Sequence, residues 1–537
     1  MKARMMILLN ILVVVGLLVT ACAAPATPEP PAEEEPTEEV VEEEAEPEEE
    51  EEEAGDERRM VTVGIAEDVS ALDPPADWAI VTTWVVSNMF DCLVWRGRVE
   101  HDEFEGRLAE SWEVLDDVTW RFYLREDVEF HNGEPYNAEA AKFSIDRILE
   151  DDQMIVHSQW THIKEVRIVD EYTIDIETHD PVPDMLSKLA GTGCGNVPPK
   201  YVQEVGKEEF AMNPVGTGPF VFEEWERDQE IRLVANDDYW EGPPEIAGVT
   251  FKVIPEPSTR VAELLTGGLD ITDPVEPQDW ERIEENEDVE LVKANTTRTM
   301  LLVHRCDEPF VTADPKIRAA IDYAIDDQAL VELIGDMGVP TLSRVTPPTM
   351  SATDKYFGQY NYDPDQAMQL LEEAGYDGEE LTFHTTTTWL GQKEVAEAIA
   401  AMLTEVGLNI DLQILEPSTF REQVYYPQDA NEEIMMLALG NSFFDPWIAM
   451  KGFYSKQERV RSHWQSDRFD ELWEKALVEM DPQQREEYFL EMQDLVVEGR
   501  PYTFLYLLKT AYGKSKQLEW PIPPDNFYWM YNARFVE

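Results

Sequence analysis

The 537-residue chain holds 42 Lys and Arg against 112 Asp and Glu, a formal net charge of −70, which argues against nucleic acid or an anionic membrane surface as its partner. With 43% hydrophobic residues and 15 tryptophans it is a globular protein over most of its length. It is also too long for a single core, so two or three domains are expected.

Lys2 and Arg4 precede an apolar run from Ile7 to Val19, interrupted only by Asn10. The run is short for a membrane span and suits the core of a cleavable secretory signal. It ends at residues 18–22 (LVTAC). Small residues before a cysteine leave an extended backbone for a signal peptidase, and the thiol is the nucleophile that takes a lipid. The pattern resembles the lipobox of bacterial lipoproteins, which implies a signal peptide over 1–21 and Cys22 as the lipidated first residue of the mature chain. Several acyl chains on one cysteine give stable anchoring. Residues 23–57 follow with eighteen acids and no base among Ala, Pro, Thr and Glu. With so little apolar surface to bury, this segment reads as an extended tether, and 22–58 as the lipidated cysteine plus spacer. Beyond it, 94 acids face 40 bases in a body of about 480 residues.

Alternation marks strands through Trp120, Phe122 and Leu124, then Tyr172, Ile174 and Ile176, then Ile231, Leu233 and Ala235, and Val249, Phe251 and Val253. Asp314-Pro315 supplies an N-cap and a first-turn proline for a helix with Ile317, Ala320, Ile321 and Ala324 on one face. Asp363-Pro364 repeats the device before Ala367, Leu370 and Leu371, with Gly375 placed to stop the helix. A helix through Val395, Ile399 and Met402 ends near Gly407, a strand alternates through Ile410, Leu412 and Ile414, and Asp481-Pro482 opens a late helix. Strands and helices interleave throughout, so the fold class is mixed α/β. Cys92, Cys194 and Cys306 are far apart with no CxxC. They allow at most one disulfide, and buried free thiols are the preferred reading.

Several stretches then match one family in order and spacing. They are 108–114 (LAESWEV), 120–125 (WRFYLR), 128–135 (VEFHNGEP) with Asn137-Ala138-Glu139, 214–220 (PVGTGPF), 236–240 (NDDYW), 267–271 (GGLDI), 317–326 (IRAAIDYAID) and 362–376. From about residue 60 to the C-terminus the chain resembles the extracellular solute-binding proteins of family 5, the binding subunits of peptide, nickel and some oligosaccharide ABC importers. The resemblance implies a periplasmic-binding-protein-like fold of two ligand-clasping lobes and an extra domain. Mapped here, lobe I would be 59–92, 213–300 and 505–537, the extra domain 93–212, and lobe II 301–504. The motifs themselves read as fold-determining; the Gly216-Thr217-Gly218-Pro219 turn is expected to need a permissive backbone.

No HExxH, GxSxG, P-loop or dinucleotide glycine pattern occurs, and His157 and His162 are five residues apart, off the spacing of a helical metal pair. No catalytic site, metal or cofactor is expected. Peptide binders of the family carry an aspartate three residues before an acidic-Pro pair, where it holds the ligand ammonium. If Asp445-Pro446 is that pair, Ser442 stands at the aspartate's place and supplies no counter-charge. The segment 416–439 offers only Arg421 as a base for a ligand carboxylate. Trp389, Asn441, Ser442, Phe443 and Trp447 are the candidate cleft residues, with Trp78 beside the Leu72-Asp73-Pro74 turn. Their aromatic faces and polar groups suit a sugar as well as a peptide backbone. The expected role is a membrane-anchored extracytoplasmic lipoprotein, at the cell surface or in the periplasm. As a monomer it would hand a small solute, peptide or oligosaccharide, to an ABC permease with its ATPase subunits. A surface-anchored hydrolase and an adhesin are the competing readings from other classes.

Overall fold

The computed structural model describes residues 58–77, 79–96, 103–425, 432–441, 444–456, 461–523 and 526–536. Cys22, the signal and the acidic tether fall outside these residues, as do Trp78, Ser442 and Phe443. Among the described residues no helix is long and apolar enough to cross a membrane.

Two exceptionally long strands organise the body. Val289–His304 and Tyr502–Ser515 pair antiparallel and sit side by side in the middle of an 11-stranded mixed sheet. On one side of this pair lie Ile271–Thr272, Met60–Ile65, Gly248–Val253, Glu230–Ala235 and Phe220–Glu226. On the other lie Ile434–Leu439, Glu380–Thr385 and Asn409–Ile414. A separate four-stranded antiparallel sheet is built from Ala109–Asp116, Thr119–Leu124, Thr173–Thr178 and Ile163–Asp170. It packs on the helix Ala138–Glu150 around Phe122, Ile145, Ile174 and Ile176.

The sequence signals become these elements for the reasons that made them legible. Asp314, Asp363 and Asp481 each accept a hydrogen bond from a first-turn backbone N–H of the helices Pro315–Ala324, Pro364–Ala374 and Pro482–Gly499. Gly375 ends the second of these in the left-handed conformation, φ 71°. Ile317, Ala320, Ile321 and Ala324 are buried in a core that also takes Leu381, Phe383, Val395 and Ile399.

Two of the matching motifs, with Arg107 just before a third, meet at one buried carboxylate. Asp91 accepts from Arg107 (2.9 Å), the Tyr239 hydroxyl (3.1 Å), the Thr217 hydroxyl (3.1 Å) and the Trp240 indole N–H (3.2 Å). Arg107 also pairs with Glu241 at 2.7 Å. A buried charge must be surrounded in this way to be tolerated, so these motifs are fixed by packing rather than by ligand. The Gly216–Gly218 turn departs from expectation in its physics. Neither glycine has a positive φ; a Cβ on Gly218 would stand 2.5 Å from the Met89 carbonyl carbon, and one on Gly216 would overlap the Met89 carbonyl oxygen. Close backbone approach, not conformational freedom, requires them.

The preference for free thiols is overturned at two of three positions. Cys92 and Cys194 form a disulfide, with Cα atoms 5.1 Å apart, and only Cys306 is free among the described cysteines. The turn preceding strand Val94–Arg96 brings Cys92 against the loop that follows helix Met185–Leu189, a pairing across 102 residues that no spacing rule reveals.

Candidate functional site

The direction of the strands picks out the site. Met60–Ile65, Gly248–Val253 and Ile271–Thr272 run parallel, and Ile271 stands opposite Lys514 while Thr272 stands opposite Gly513. Their carboxyl ends therefore point toward the middle of Tyr502–Ser515. In the other half, Glu380–Thr385, Asn409–Ile414 and Ile434–Leu439 run parallel. The last of these ends with Leu439 opposite Thr299, at the middle of Val289–His304. Both parallel sets thus direct their carboxyl ends at the same stretch of the two long strands. In open α/β sheets ligands bind in the crevice outside such strand ends, where the order switches.

At that stretch the ladder is broken. Asn295 pairs with Lys509 and Thr299 with Leu507, so 296–298 bulge against a single residue. The bulge satisfies its own polar groups: the Thr296 hydroxyl donates to the Leu508 carbonyl (2.9 Å), and the Arg298 N–H donates to the Thr296 hydroxyl (3.0 Å). The Asn441 N–H donates to the Thr297 carbonyl (3.1 Å), which ties the loop after Ile434–Leu439 to the bulge.

The described residues on either side of 442–443 are anchored by side chains. Asp445 is buried and forms a fork with Arg485, two bonds of 2.9 Å. Its Oδ1 also accepts the Trp447 N–H (3.0 Å), capping the short helix Pro446–Met450. The Arg485 Nε–H donates to the Ala476 carbonyl. Arg344 donates to the carbonyls of Gly440 (2.6 Å), Ile448 (3.1 Å) and Ala449 (3.3 Å). Asp445-Pro446 is therefore a structural device.

Of the candidate residues that are described, Trp389 and Asn441 follow these strand ends, and Trp447 lies on the short helix Pro446–Met450 beyond. Trp389 is half-buried after Glu380–Thr385, and the Arg298 guanidinium lies 4.8 Å from its ring centroid. Trp447 is half-buried with the ammonium groups of Lys188 and Lys451 at 4.7 and 5.5 Å from its ring. Asn441 is buried, and its amide donates to the Thr349 hydroxyl (3.0 Å) and the Asp445 carbonyl (3.3 Å). Asn441 Oδ1, Thr299 Oγ1 and Thr386 Oγ1 are buried without a hydrogen-bond partner among the described residues, leaving polar capacity for a bound solute. Beside them Phe444 adopts φ 52° and receives the Arg96 guanidinium at 4.6 Å.

Sequence reasoning looked for a base in 416–439 and found Arg421, which is exposed. The cations around the loop, Arg298, Arg344, Lys188 and Lys451, come from other elements. Arg298 is the one set on the bulge itself. It is an exposed residue, and the protein around its guanidinium lowers its pKa by desolvation. Burial, the largest cause, together with the charges of Arg461 and Arg298, pushes the Arg344 pKa down to about 10. A cavity of 810 Å³ lies elsewhere, bordered by Pro243, Glu245, Trp520 and Tyr531. Two of its ion pairs close within the protein, Lys514 with Glu290 and Arg534 with Glu519.

Residues 103–460 match the model of the bacterial extracellular solute-binding proteins, family 5 middle region. The chain is 26% identical over 478 residues to the probable D,D-dipeptide-binding periplasmic protein DdpA of Escherichia coli strain K12, covering 86% of this chain and 90% of that one. It is 25% identical over 482 residues to the glutathione-binding protein GsiB of Salmonella typhi, covering 87% and 93%. Among solved structures, HbpA2 from Haemophilus parasuis superposes with a TM-score of 0.80 at 22% identity, covering 89% of this chain and 100% of that one.

Proposed function

The chain belongs to the bacterial extracellular solute-binding proteins of family 5, and from that premise we propose that it is the capture subunit of an ABC importer for short peptides. The observation that carries this reading is the convergence of both sets of strand ends on the bulge at 296–298. The two long strands are the natural hinge. Rotation about them would bring lobe I (59–92, 213–300, 505–537) and lobe II (301–504) together over a solute, with the extra domain 93–212 as one wall. Lys188 against Trp447 and Arg96 against Phe444 supply that wall's contacts with the 440–447 loop.

Peptide is favoured over neutral sugar because the two described tryptophans already carry cations on their faces. A sugar ring would have to displace a charge to stack there. The binding role is non-enzymatic in this reading, and its products would be a loaded receptor and a docked permease. Anchoring through a lipid on Cys22, with the acidic residues after it as reach, completes the proposal. Native mass spectrometry of the purified protein tests the ligand class: co-purified short peptides support it, and a neutral oligosaccharide counts against it. Replacing Cys22 by Ala should release the protein from the membrane fraction; continued sedimentation with membranes would refute the anchor.

A further inference from the structure

The segment 301–504 meets the segment 93–212 at Phe444, Trp447 and Met480. The Arg96 guanidinium lies 4.6 Å from the centre of the Phe444 ring, and the Lys188 ammonium 4.7 Å from that of Trp447. Met480, between the helices Asp467–Ala476 and Pro482–Gly499, packs against the core that holds Phe122, Ile174 and Met185. Each cation is aimed from its own side of this contact. Arg96 stands opposite Phe104 where Val94–Arg96 pairs with Phe104–Gly106, and its guanidinium lies 5.3 Å from that ring. Two phenylalanines, one from each segment, therefore hold it. Lys188 is oriented by Asp184, one helical turn before it, at 2.7 Å.

The two stretches that carry these cations are joined covalently. Cys92 precedes strand Val94–Arg96, Cys194 follows helix Met185–Leu189, and the two form the disulfide. Beside it the Asn196 N–H donates to the Asp91 carbonyl (3.1 Å). The receiving side is strained instead. Phe444 is 3% exposed yet holds φ 52°, a left-handed conformation that is costly for a bulky side chain. Its carbonyl accepts the Met350 N–H (3.2 Å). Such a backbone persists only where its surroundings over-determine it, and Arg96 is part of those surroundings. Contact across the boundary thus stabilises the buried position of the Phe444 ring, and separation releases it.

Resting on capture between two lobes, but not on the class of solute, we propose that Arg96 and Lys188 are the positioning residues of a latch. They grip Phe444 and Trp447 when the lobes meet, the Cys92–Cys194 disulfide keeps them at a fixed spacing, and the latch sets how fast a bound solute is released. A ring carries no counter-charge, so parting the contact strands no carboxylate and leaves only the cation to be rehydrated. The latch forms after closure, so it slows release without changing the rate of encounter.

The test loads full-length protein in detergent with a mixed tripeptide library. Release is timed by native mass spectrometry after dilution into excess isotopically labelled library. Arg96→Met with Lys188→Met should release peptide at least tenfold faster than wild type, with association changed by less than threefold. Arg96→Lys with Lys188→Arg keeps both charges on the rings and should release within threefold of wild type, which a general loss of stability would not allow. Cys92→Ser with Cys194→Ser should speed release where the latch is intact and add less than threefold where both cations are gone. If wild type closes on tripeptide but the double Met variant releases it at the wild-type rate, or if association slows in proportion, the latch fails and the peptide receptor stands. If no tripeptide binds wild type, peptide fails as cargo and scattering of the solute-free proteins decides the latch. The double Met variant should then have a larger radius of gyration than wild type and the Lys/Arg variant an equal one; equal radii for all three would overturn it.

Discussion

Replacing Arg485 by Met tests whether the 440–447 loop is held by a buried ion pair. The Arg485 and Asp445 side chains are 6% and 1% exposed, and their fork closes with two 2.9 Å bonds. Methionine fills much of the arginine's volume over Phe489 but leaves the Asp445 carboxylate buried with only the Trp447 N–H to stabilise it. Breaking a buried pair from one side costs about 3–5 kcal/mol, whereas removing both charges costs far less, because the penalty is the stranded charge. Arg485→Met should therefore lower the unfolding free energy in urea by about 3–5 kcal/mol. Adding Asp445→Asn, which keeps an oxygen for the Trp447 N–H, should restore more than half of the loss. Ligand affinity should fall with the single variant, since the same carboxylate fixes the loop that carries Asn441 and Trp447. A single variant within about 0.5 kcal/mol of wild type, or a double variant no more stable than the single one, would refute the argument.

Four further outcomes follow from other parts of the molecule. Burial pushes the His304 pKa down to about 3, so the stability it contributes is lost as pH falls below the unfolded value of about 6.5, an effect of order 4 kcal/mol. Burial raises Asp273 to about 6, so its contribution has the opposite sign: present below its unfolded pKa of about 3.9 and lost as pH rises through 6. Urea midpoints from pH 3 to 8 should flatten on the acid side in His304→Asn and rise near neutrality in Asp273→Asn; unchanged profiles would contradict the assignments. Gly218→Ala should cost at least about 2 kcal/mol, because the new methyl meets the Met89 backbone, which cannot move away. Cys92→Ser with Cys194→Ser should cost about 2–5 kcal/mol, measured as the urea midpoint of the oxidised wild type against the variant.

Much of the fold was legible because local chemistry and global structure agree. Asp-Pro pairs cap helices wherever they fall, and period-two alternation gives strands such as Thr119–Leu124 and Gly248–Val253. What escaped depends on contacts between distant segments. The disulfide joins residues 102 apart, and Gly216 and Gly218 answer to the carbonyl group of Met89, not to their own backbone angles. Of the candidate cleft residues, Trp389, Asn441 and Trp447 follow the carboxyl ends of adjacent parallel strands. Arg298 carries no such local signal, because nothing in the sequence pattern of 289–304 marks a bulge. Only the pairing with Tyr502–Ser515 reveals the bulge that sets this arginine apart.

Small-angle scattering of the full-length protein, with and without a saturating tripeptide mixture, tests the central claim most directly. Capture between two lobes predicts a smaller radius of gyration with peptide and no cleavage of the peptides recovered afterwards. An unchanged radius with peptide bound, or hydrolysed peptide, would contradict it.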